Sequence, residues 1–164
     1  MPSVQHNALD TTNLHEPKRS YANLYVTHSD SATISTIGTT QKTFDAWAHN
    51  GPEHDSAGDY TTNKITVGTA GDYYINFSMS FSTVAVADSG QYEVHIAIDG
   101  VEDSIGLHRS LSGTDDLGAG SCSGVLALAA GAEVSVLIES DNGSDTDDIN
   151  VISASLTVFR LGNT

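Results

Sequence analysis

Gly71-Asp72-Tyr73-Tyr74-Ile75-Asn76-Phe77-Ser78-Met79-Ser80-Phe81 decides the fold of this chain. Tyr73, Ile75, Phe77, Met79 and Phe81 alternate with Tyr74, Asn76, Ser78 and Ser80. Side chains on a strand point to opposite faces in turn, so this period of two marks a strand with one buried and one wetter face. The same period returns in Tyr92, Val94, Ile96 and Ile98, then in Val134, Val136 and Ile138, and last in Ile152, Ala154, Leu156 and Val158. Upstream, residues 21–27, 32–37, 43–47 and 64–67 read as shorter strands, and 49–60 as a polar loop. Asp99-Gly100 is a two-residue hairpin signal, because both positions of that turn need positive φ. Residues 129–132 read as a second hairpin, between strands at 125–128 and 133–138. The sequence shows no amphipathic helix and no fixed repeat. About ten short strands with turn signals between them predict an all-β antiparallel sandwich.

The chain has 164 residues, enough for one domain that buries roughly two thirds of its unfolded surface. Six Lys and Arg stand against 21 Asp and Glu, a net charge of −15. Phosphate backbones and anionic lipids attract basic residues, so neither nucleic acid nor a membrane is expected as a partner. Cys122 is the single cysteine, so no internal disulfide is expected, and its strand context reads as a small buried hydrophobe. The absence of an apolar N-terminal run predicts no signal peptide and synthesis in a cytoplasm. Residues 1–19 show no period and hold two of the three prolines, which predicts an extended arm ahead of a domain at 20–164.

Two resemblances sharpen this reading. Gly71-Asp72-Tyr73-Tyr74, the strand ending in Asp99-Gly100, the run 123–128, Gly131-Ala132-Glu133-Val134 and the terminal strand 152–161 follow one another as in a known jelly roll. That order resembles the fold shared by tumour necrosis factor and the globular heads of complement proteins. The resemblance implies a TNF-like jelly-roll β-sandwich that assembles as a homotrimer. Asn13-Leu14-His15-Glu16-Pro17-Lys18, followed by strands at 21–26 and 32–34, resembles the start of small tailed-bacteriophage structural proteins. That resemblance implies a virion component made in the host cytoplasm. Leu14, His15, Glu16, Pro17 and Lys18 would anchor it to the major capsid protein or to another virion protein, by adding backbone hydrogen bonds to an exposed strand edge.

Candidate site residues follow. The aromatic content of the long strand makes Tyr73, Tyr74, Phe77 and Phe81 candidates for the trimer interface. Gly120-Ser121-Cys122-Ser123-Gly124 has the spacing of a nucleophile elbow, but no helix follows it, so no catalysis is expected. The seven histidines show no zinc-binding spacing, and His95 points away from the Val94/Ile96 face, to solvent or to a subunit contact. No cofactor is expected. Within the acidic loop 141–148, Asp141, Asp145 and Asp147 are weak calcium candidates against the reading of a solvated turn. The expected function is a trimeric capsid decoration or cement knob, or a head fibre. The alternative is a tail-fibre or tail-tip knob that binds a host receptor or glycan through loops 49–60, 84–90 and 112–118.

Overall fold

The long alternating run forms a 15-residue strand, β7 (Gly71–Ala85), next to the edge strand in the first of two antiparallel sheets. The structure, a computed structural model, describes residues 19–85, 90–111, 113, 115–141 and 147–162. Among these residues the other strands are β1 (Tyr21–Val26), β2 (Ala32–Ile37), β3 (Lys42–Thr43), β4 (His49–Asn50), β5 (Ala57–Asp59), β6 (Lys64–Thr66), β8 (Gly90–Ile98), β9 (Val101–Leu111), β10 (Leu117–Leu128), β11 (Glu133–Ser140) and β12 (Asp147–Gly162). The first sheet runs β10-β7-β12-β1-β4, with β2 pairing the early part of β12. The second runs β5-β6-β11-β8-β9, with β3 on β11. This is the expected two-sheet jelly roll.

The inward residues of β7, Tyr73, Ile75, Phe77, Met79 and Phe81, meet Tyr92, Val94 and Ile96 of β8 and Val134, Val136 and Ile138 of β11 in one core. Phe77 is its aromatic centre, edge-on to Phe44 at 5.6 Å and to Trp47 at 6.2 Å. Tyr73, Phe77 and Phe81 are fully buried within a single chain. That corrects the expectation that they form a trimer interface: period two aims them inward, and only Tyr74 of the four is left for another chain.

Four local expectations are also corrected. Residues 44–47 are irregular rather than strand, although Phe44, Ala46 and Trp47 are buried. The polar stretch 49–60 is not all loop, since β4 pairs β1 and β5 pairs β6. Residues 129–132 do not make a hairpin, because β10 lies in the first sheet and β11 in the second, so the turn carries the chain across the sandwich. His95 is buried, not solvent-facing. The Asp99-Gly100 turn does form, with φ of 53° and 78°.

The glycines of β10 explain the motif around Cys122. Gly118, Gly120, Cys122 and Gly124 face inward, where Leu111, Leu107 and Ile105 of β9 cross them. A Cβ at Gly124 would fall 2.3 Å from Ile105 Cδ1. Small residues at every second position let the two sheet edges close on each other. The motif is therefore a packing device inside a strand. The Cys122 thiol is buried, and burial pushes it up to about 11, the opposite of an activated nucleophile.

Candidate functional site: the outer faces of the two sheets

The arm residues Leu14, His15, Glu16, Pro17 and Lys18 lie outside the described residues, as does Asp145. Asp141 is exposed, and its Oδ1 accepts the Gln91 N–H at 2.8 Å. Asp148 Oδ1 accepts the Thr36 N–H at 2.8 Å. Asp147 is fully buried against Tyr92, so the acidic segment is not a solvated turn throughout. Burial, with the Asp147 charge beside it, raises the Tyr92 phenol above its ordinary range. Two of the acidic side chains thus serve as acceptors for backbone donors of neighbouring segments.

The outer face of the first sheet differs from the rest of the surface. Strand register stacks its outward residues into rungs across β10, β7 and β12: Val125–Tyr74–Phe159, Ser123–Asn76–Thr157, Ser121–Ser78–Ser155 and Ala119–Ser80–Ser153. None of these twelve side chains carries a charge. The first rung is apolar and open, with Val125 55%, Tyr74 39% and Phe159 44% exposed, and Leu161 extends it. Below it the small residues leave a shallow trough of about 580 Å³. Part of the trough's hydrogen-bonding capacity is met within the chain. Asn23 Nδ2 donates to Ser155 Oγ and Thr157 Oγ1, each at 2.9 Å, and the Ser80 and Ser153 hydroxyls pair at 2.8 Å. Covering such a surface costs less than covering free polar groups.

The second sheet carries charge on its outer face. Glu93 and His95 project from β8, and His108 stands across from Glu93 on β9. His108 Nδ1 lies 3.2 Å from Glu93 Oε1, His95 Nε2 lies 3.7 Å from Glu93 Oε2, and His95 Nδ1 lies 3.1 Å from Glu102 Oε1. The two imidazoles meet edge to face, with centroids 5.7 Å apart. Linear spacing hid this group, since residues 93, 95 and 108 converge only through the β8–β9 register.

No family model and no curated protein matches this chain. Solved structures do. The Eiger tumour necrosis factor of S. frugiperda superposes with a TM-score of 0.58 at 15% identity, covering 91% of this chain and 96% of that one. The globular domain of zebrafish complement 1qA protein superposes with a TM-score of 0.60 at 12% identity, covering 89% of this chain and 99% of that one. At these identities the likeness shows the fold.

Proposed function

We propose that this chain is a non-enzymatic, homotrimeric structural protein of a virion, a capsid decoration or cement knob fastened to the coat by residues 1–19. The observation that carries the trimer is the run of four uncharged rungs across β10, β7 and β12, bounded at one end by Asp72, on a chain of net charge −15. Like-charged subunits repel, so self-association favours a face free of acids. The Val125–Tyr74–Phe159 rung supplies apolar area there, and the small residues of the trough admit a neighbour's edge. The virion role rests on the resemblance of residues 13–26 to tailed-phage structural proteins. Three arms on one knob raise the effective concentration of each, so weak arm contacts sum to firm attachment.

Light scattering tests the assembly and should return three chains; a stable monomer at micromolar concentration would sink the trimer. Deletion of residues 1–19 should leave a folded trimer that no longer binds particles. A truncated protein that still decorated capsids would move the attachment site to the sandwich. Copy number against the major coat protein separates a capsid knob, present in hundreds, from a tail-tip knob, present in few.

A further inference from the structure

We infer that Glu93, His95 and His108 form a binding site for a divalent transition metal of the zinc type, on the outer face of the second sheet. The inference is independent of the assembly reading and lies on the opposite face. One ligand atom from each of the three residues falls within 4.8 Å of the others. Two imidazoles and one carboxylate are the donor set that zinc takes in three-ligand sites, with a fourth position left for water. Calcium and magnesium prefer all-oxygen shells, so the two imidazoles select against them.

His95 gives the site its architecture. The residue is 9% exposed, and neither ring nitrogen has a well-aligned hydrogen bond among the described residues. A buried imidazole without such partners is costly unless something satisfies it. Nδ1 lies 3.1 Å from Glu102 Oε1, so a small ring rotation lets Nδ1–H donate to that carboxylate. The donation fixes the tautomer and leaves the Nε2 lone pair toward Glu93 and His108, the carboxylate–histidine–metal arrangement. Gly106 is the cross-strand partner of His95 and makes room for the ring. Gln91 Nε2 donates to Glu93 Oε1 at 2.9 Å, a bond that an ion on this carboxylate would replace. His108 and Glu93 are the more exposed members and give an ion its way in. The excess of acidic residues raises the local cation concentration.

The test is zinc titration of the chelator-stripped full chain by calorimetry, with a large excess of calcium present to occupy indiscriminate carboxylates. One zinc per chain should bind, and cobalt in its place should give visible ligand-field bands. His108→Ala lies on the surface, should keep the wild-type circular dichroism, and should weaken zinc binding about tenfold or more. Glu102→Gln should weaken it about tenfold through His95 alone. Zinc binding abolished by calcium, or His108→Ala binding as tightly as wild type, would overturn the site.

Discussion

Gly106 faces His95 across the β8–β9 ladder, and a Cβ on Gly106 would stand 2.6 Å from His95 Nδ1 and 2.9 Å from the Val94 carbonyl oxygen. Real side chains do not approach so closely, and the second obstacle is backbone that cannot swing away. Gly106→Ala should therefore cost about 1–3 kcal/mol, the range for overpacking, read as a lower Tm. Gly113 has open space around its Cβ position, so Gly113→Ala should melt within about 1 kcal/mol of wild type. Equal melting of the two variants would contradict the packing described around His95.

The two faces of β7 should separate folding from assembly. Phe77→Ala empties the aromatic centre of the core and should cost about 3–5 kcal/mol. Val125→Asp and Tyr74→Asp alter exposed positions, so the fold should survive while the assembly fails, because a charge enters the uncharged lane. Circular dichroism melts and light scattering on the same samples distinguish the outcomes. A trimer that persists in Val125→Asp would place the subunit contact elsewhere.

Cys122 predicts a pH effect with a definite sign. Burial raises the thiol from its ordinary 9.0 to about 11, so the unfolded chain loses this proton first as pH rises. The thiol's contribution to stability is complete below 9.0 and is lost as pH climbs through about 11. Tyr92, also raised, acts in the same direction at alkaline pH, so the comparison needed is wild type against Cys122→Ala. The variant should show the shallower alkaline decline in denaturant midpoint. In the native state at pH ~8 the thiol should resist disulfide reagents and react only on unfolding.

Thr36 stores strain that can be relieved. It sits at φ 58°, a left-handed conformation that a β-branched residue adopts at a cost, at the end of β2. Asp148 holds it there through the Thr36 N–H. Thr36→Asn should raise stability by about 1 kcal/mol, since Asn tolerates this region. Asp148→Ala should lower it by about 0.5–1.5 kcal/mol, the net worth of one hydrogen bond. Denaturant titrations of both variants check the pair.

Alternation in the sequence is enough to locate β7, β8, β11 and β12, and for β7, β8 and β11 to say which side chains face inward; in β12 a register shift between Val151 and Ser153 takes Ile152 out of the core and turns Ile149 and Val151 inward. The reason is local: backbone geometry sends neighbours to opposite sides, and water sorts the sides by polarity. The turn at Asp99-Gly100 is legible for the same reason, because the conformation it needs is a property of those two residues. Bulk, in contrast, is a poor guide to an interface. Tyr73, Phe77 and Phe81 are large aromatics, yet the same inward alternation consumes them in the core.

Tertiary structure alone decided which strand lies beside which. Alternation carries no information about partners, so residues 129–132 look like a hairpin although they carry the chain between sheets. Register then did the rest. It aligned Val125, Tyr74 and Phe159 from three strands into one exposed rung, and it set His108 of β9 opposite Glu93 of β8. The rung draws on residues up to 85 positions apart in number, from 74 to 159, and no local preference can encode such a meeting. It arises only when hydrogen-bonded ladders lock each strand against its neighbours, since a slip of one residue would turn every side chain to the other face.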